Sequence, residues 1–136
     1  MSVAVENLIP HRAPMRWIDA LTECNEKSGR ATAIFTAEHF AIADKTVLAS
    51  ALVECVAQTA AAILGQQAQH NGKNGAAING MLVAVSNFKM LSRPPLEKTL
   101  QIEVRERKQL GPLRMVSGTI SCNGQTIATG ELTLYA

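Results

Sequence analysis

The sequence predicts an α+β fold in a single domain, residues 1–136. In it, an antiparallel sheet of about six strands wraps around one long central helix. Three observations lead to this expectation. Residues from about Thr46 to Gln69 hold no proline and only one glycine, Gly65, and are rich in Ala, Leu and Gln, all good helix formers. Elsewhere the period changes: Leu100, Ile102 and Val104 alternate with Gln101, Glu103 and Arg105, as a half-buried strand requires. Finally, Asn123-Gly124 stands between two strand-like segments and is the dipeptide that two-residue hairpin turns prefer.

The elements follow in order. Arg16 to Cys24 and Arg30 to Ala37 read as two strands around the loop Asn25–Gly29. Asp44 or Thr46 is placed to cap the helix, and His70-Asn71-Gly72 to stop it. Leu48, Leu52, Val56, Ile63 and Leu64 give the helix one apolar side, and five alanines (51, 57, 60, 61 and 62) make the rest small. A helix apolar nearly all round is buried on most sides. After the turn-rich stretch NGKNGAAING come the apolar run Met81–Val85 and the alternating segment from Leu100. The turn Leu110–Leu113, a strand Arg114–Cys122 and a last strand Gln125–Tyr135 complete the chain. Two strands, a helix and about four sequentially connected strands make an antiparallel sheet.

Composition narrows the function. A net charge of +2, with three Phe, one Tyr and one Trp, offers neither the field nor the stacking surface that nucleic acid binding needs. The run Thr46–Leu64 approaches membrane length but contains Glu54 and Gln58, against a spanning helix. The start, MSVAVENLIPHRAPM, lacks a basic region followed by a long apolar run, so a cytoplasmic protein is expected. Three scattered cysteines without a CxxC pair read as reduced thiols. The histidines and acids show no HExxH or HxH spacing, so no metal is expected, and no serine or cysteine lies near a His–acid arrangement.

Within the helix, ASALVECVAQTAAAIL carries one ionisable group, Glu54. A lone carboxylate in an apolar core would cost several kcal/mol if charged, so it must be paired, protonated or open to a cavity. Glu54 is therefore either part of a hydrogen-bonded polar strip with Gln58, one turn on, or a functional acid.

The motifs resemble, across essentially the whole chain, the hotdog-fold 3-hydroxyacyl-ACP dehydratases, the FabZ branch more than FabA. The residues that carry the likeness are Pro10-His11-Arg12-Ala13-Pro14 followed by Ile18-Asp19, then the helix signature Val53-Glu54-Cys55-Val56-Ala57-Gln58. Asn87-Phe88-Lys89 with Arg93-Pro94, and the hairpin at Asn123-Gly124, complete it. The sequence departs from the family at "GHFPG-P": here it reads Glu38-His39-Phe40-Ala41-Ile42-Ala43-Asp44, without either glycine or proline. That places it with divergent members such as those of aryl polyene clusters, where a degenerate subunit can pair with an intact one.

The resemblance implies an enzyme without cofactor that eliminates water from a 3-hydroxyacyl thioester, carried on acyl carrier protein or coenzyme A. Glu54 would exchange a proton with the departing hydroxyl in a tunnel at a dimer interface, while a histidine of the other subunit takes the α-proton. His39 is the candidate base. An ungapped count from Glu54 puts Phe40 at that position, one inserted residue restores His39, and Asp44 is a third polar candidate. Ala49, at the helix start, would offer backbone N–H groups to the thioester carbonyl. Gln58 and Phe40 would line the substrate site. Lys89 and Arg93 would attract the carrier's acidic surface or its phosphate. His11 is expected to anchor the N-terminal segment. The partner is a second copy or a related hotdog subunit. An acyl-thioester hydrolase on the same fold, or a catalytically inactive partner subunit, are the rival readings.

Overall fold

The alanine-rich segment forms the helix α1, Ala49–His70, in a computed structural model that describes residues 3–39, 42–43, 46–70, 72 and 80–135. Phe40, Asp44 and the stretch 73–79 lie outside the described residues. Thr46, expected as a cap, instead belongs to a short ladder in which β5 (Thr46–Val47) pairs with β4 (Ile42–Ala43). The helix begins three residues later, where the Leu48 carbonyl accepts from the N–H groups of Ala51 and Leu52 at 3.0 and 3.4 Å.

The other elements are β1 (Val3–Ala4), β2 (Ala20–Cys24), β3 (Ser28–Ala33), β6 (Met81–Met90), β7 (Leu100–Leu110), β8 (Leu113–Cys122) and β9 (Gln125–Tyr135). They form one sheet in the order β1-β2-β3-β7-β8-β9-β6, with every neighbouring pair antiparallel. Six of the strands are long, and the two-residue β1 extends one edge. Leu100, Ile102 and Val104 point into the core with Ile120 of β8 and Ala128 and Leu132 of β9, and α1 closes over them with Leu52, Cys55 and Val56. This is the hotdog fold.

Three local expectations need correction. The first strand starts at Ala20 rather than Arg16, because the N–H groups of Trp17 and Ile18 donate to the Gln58 side chain instead of to a ladder. The second ends at Ala33, where side-chain acceptors replace the ladder: Ile34 N–H donates to Asp19 at 3.1 Å and Ala37 N–H to Glu97 at 3.2 Å. Finally, β6 does not form a hairpin with β7. It crosses to pair with β9, from Met81 opposite Tyr135 to Met90 opposite Ala128. The N–H groups of Leu91 and Ser92 extend that attachment by donating to the Ile127 carbonyl, while β7 is already paired with β3 and β8.

As a result β6 is an edge strand, and its apolar run faces outward: Met81, Val83 and Val85 are 67%, 54% and 44% exposed. A continuous apolar run reads as a buried strand only if something covers it.

Before β2 the chain crosses α1, burying Leu8, Ile9 and Ile18 completely. The crossing is tight at Gly65, where a Cβ would run into the carbonyl oxygen of Leu8. This explains a glycine inside a helix, where it costs about 1 kcal/mol relative to alanine. Gly65→Ala is therefore expected to lower stability by about 1–3 kcal/mol despite alanine's better propensity, as overpacking does. Urea unfolding checks this, and a stability gain would mean the segment moves aside freely.

Candidate active site

Glu54 lies in the second turn of α1, and the strip below it, Ala57 and Ala61, is too small to fill the space beside the sheet. The result is a cleft of about 90 Å³ lined by Glu54, Ala57, Ala61, His11 and the first residues of β6, Met81 and Leu82. The Glu54 carboxylate is neither sealed in nor free in water. It is 31% exposed; its Oε1 accepts from Gln58 Nε2 at 3.3 Å and lies 3.4 Å from His11 Nε2.

Gln58 explains how His11 gets there. Its side chain is fully buried one turn after Glu54, so an unsatisfied amide would be costly. The amide instead holds the crossing segment. Nε2 donates to the Met15 carbonyl at 2.8 Å, and Oε1 accepts from the N–H of Trp17 at 2.9 Å and of Ile18 at 3.4 Å. Arg12 adds a bond from its guanidinium to the Ile9 carbonyl at 2.9 Å. The turn carrying His11 is thus fixed over the helix beside the acid.

His39 is placed differently. Its ring packs edge-on against Phe35, with centroids 4.8 Å apart, and against Trp17, 5.7 Å apart. Burial there holds its imidazole below the usual histidine range. It does not line the Glu54 cleft of its own chain. Ala49, the first residue of α1, is exposed.

Lys89 and Arg93 are exposed at the other end of β6. Eight residues of strand, about 25 Å, separate Lys89 from the Met81 end that borders the cleft. Arg93 shares a groove with Lys98 and the Asn123 turn. Neither cation meets Glu54 within one chain.

Sequence reasoning did not bring His11 to the acid. The available signal was the PHR motif itself, together with a glutamine one turn from Glu54 that had no other partner in sequence. Cys55, next to the acid, offers no nucleophile, because burial, reinforced by the Glu54 carboxylate, pushes its thiol far above its ordinary range. Among the described residues no group of three or more His, Cys, Asp or Glu side chains is arranged to hold a metal ion, and no helix is long and apolar enough to cross a membrane.

An acid on the inward strip of a hotdog helix, facing a cleft at the edge strand, defines a candidate site of the dehydratase type. Compared with known families, residues 3–136 match the ApeP-like family, described as ApeP dehydratase, and the chain belongs to that family. No curated protein gives a significant match by sequence. Among solved structures, a chain of the dehydratase heterocomplex ApeI:P from Xenorhabdus doucetiae is similar with a TM-score of 0.87 and 20% identity, over 98% of this chain and 90% of that one. The protein smu.793 from Streptococcus mutans UA159, bound to acetyl CoA, is similar with a TM-score of 0.68 and 13% identity, over 92% and 94% of the two chains. A hypothetical thioesterase with coenzyme A from Streptococcus pneumoniae TIGR4 gives a TM-score of 0.67 at 11% identity, over 85% and 82%. At these identities the likeness is one of fold.

Proposed function

We propose that the protein is one subunit of a hotdog assembly that eliminates water from 3-hydroxyacyl thioesters delivered by an acyl carrier protein. The observation that carries this reading is the Glu54 carboxylate, held by His11 and Gln58 inside a cleft whose outer wall is the exposed strand β6. A related hotdog subunit laid along β6 would cover the Met81–Val85 run, close the cleft and supply the facing base. That similar protein ApeI:P is itself a dehydratase heterocomplex, which supports a partner of this kind.

In the reaction the base removes the α-proton of the thioester, and the C–H electrons form the α,β double bond. The C3–O bond breaks, and Glu54 delivers its proton to the leaving hydroxyl, releasing water and a 2-enoyl thioester. Removing both groups from bulk water and fixing them on rigid elements accounts for the catalytic gain. His11 and Gln58 act as positioning residues that aim the carboxyl group. His39 serves as the base for the acid of the facing subunit, and the start of α1 at Ala49 offers N–H groups to the thioester carbonyl. Lys89 and Arg93 meet the carrier.

The test is to incubate the protein, alone and with a related hotdog subunit, with a 3-hydroxyacyl carrier-protein thioester while following enoyl absorbance and free thiol. Enoyl formation is the expected result. Thiol release without enoyl would replace dehydration by hydrolysis, and silence in both arms would reduce the chain to a non-catalytic subunit.

A pH prediction follows from His39. Because burial lowers its pKa from 6.5, the imidazole stays neutral, and so able to accept a proton, as pH falls past that value. The portion of the rate lost in His39→Gln should therefore have its acidic limb below pH 6.5. A limb at or above that value would remove His39 from the role.

A further inference from the structure

The Glu54 cleft does not end blindly. It is lined by Leu64 of α1 and Leu134 of β9, and the same two side chains line a second, narrow cavity of about 20 Å³, with Ala60, Ile63, Val104 and Val116 on its apolar side and Glu26 and Lys27 at its rim. The geometry of both elements puts the two spaces in line. On α1, Ala57, Ala61 and Leu64 follow Glu54 by three, seven and ten residues, so they run down one stripe of the helix. The two alanines leave a furrow, and Leu64, about 15 Å along the axis from Glu54, is the first long side chain in its path.

On the sheet, Leu82 of β6 pairs with Leu134 of β9, which pairs with Arg114 of β8. Residues directly opposite one another share a face. Leu134 therefore stands between Leu82, which lines the cleft, and Arg114, which lines the second cavity. Beyond the partition the cavity is bordered by the Arg114–Glu106 ion pair, at 3.0 Å, where it meets an open groove that the same two side chains also line.

We propose that Leu64 and Leu134 are the specificity-determining partition of an acyl channel. Short chains end against them, and longer chains enter the second cavity between α1 and strands β7 and β8 when Leu64 turns aside. The proposal rests on the acyl-thioester reading of the Glu54 cleft. The occupant it commits to is the distal part of an apolar chain whose thioester end lies at Glu54: along α1 and the strands the path is walled by alanine, leucine, isoleucine and valine, and charged side chains stand only at the far rim of the second cavity.

Binding of S-alkyl coenzyme A thioethers, which cannot react, tests this on the full chain in its purified assembly. Affinity for the wild type should rise about fourfold per methylene buried and then level off at the length that reaches Leu64. In Leu64→Ala the rise should continue, giving the longest thioethers at least ~10-fold tighter binding than the wild type, and in Leu64→Phe it should level off earlier. Leu64 is only half-buried, so these variants are expected to fold, and circular dichroism verifies it. Folded variants that level off at the wild-type length would overturn the partition. Loss of turnover on 3-hydroxyacyl thioesters with a shifted plateau would instead count against the chemistry at Glu54 and leave the channel standing.

Discussion

Glu54→Gln is expected to reduce dehydration by about 10²–10⁴-fold, the range for loss of a positioned general acid, while leaving the protein folded. Glutamine has nearly the same shape and stays on the same inward strip of α1, so the cleft keeps its form. It cannot release a proton to a leaving hydroxyl. The lost pair with His11 is partly open to solvent, so its removal should cost no more than about 1 kcal/mol of stability. Thioether binding should be retained, separating chemistry from recognition. The check is enoyl absorbance under single-turnover conditions, and a rate within about tenfold of wild type would show that another group supplies the proton.

Gln58→Leu is expected to do the opposite, harming structure first and chemistry as a consequence. Leucine fills a similar volume but offers no polar atom, so it strands the Met15 carbonyl and the N–H groups of Trp17 and Ile18, all presently satisfied by one amide. Unpaired backbone groups cost about 1–3 kcal/mol each when water cannot reach them; the Met15 and Trp17 groups are only part-buried, so hydration and relaxation of the crossing segment limit the total to about 2–4 kcal/mol. For a chain of this size that lowers Tm by roughly 10 °C. The same loss frees the turn carrying His11, so kcat should fall in the folded fraction too. Gln58→Glu, which keeps the acceptor for Trp17 and Ile18 but loses the donor to Met15 and Glu54, should be intermediate in stability. If Gln58→Leu unfolded with the wild-type Tm, the amide would not be holding the segment.

These two residues also show what was legible in the sequence. The helix was, because a single stretch of good helix formers specifies its own hydrogen bonds. So was β9, which starts and ends where the Asn123-Gly124 turn and the alternating pattern put it. Glu54 was legible as well, since an acid among alanines conflicts with its surroundings whatever the fold. Strand partners were not. Periodicity gives each strand its face but not its neighbour, so β6 was expected next to β7 and lies next to β9. The same blindness hid His11: it meets Glu54 only because a buried amide on the helix captures a passing backbone segment, and nothing local to either residue encodes that meeting. His39, by contrast, was singled out by resemblance alone, and within one chain it keeps company with Trp17 and Phe35 rather than with the acid.

The ten-residue β6, with its greasy outward side chains and a row of backbone groups awaiting partners, has a thermodynamic corollary. If, as proposed, a second hotdog subunit covers this edge, the protomer has no melting temperature of its own. Its apparent stability would then climb with protein concentration and with the supply of that subunit, by mass action. Synthesised in excess of that mate, the chain would expose an adhesive edge of the kind that nucleates aggregation, so balanced production of the two would be as much a requirement for the fold as any residue in its core.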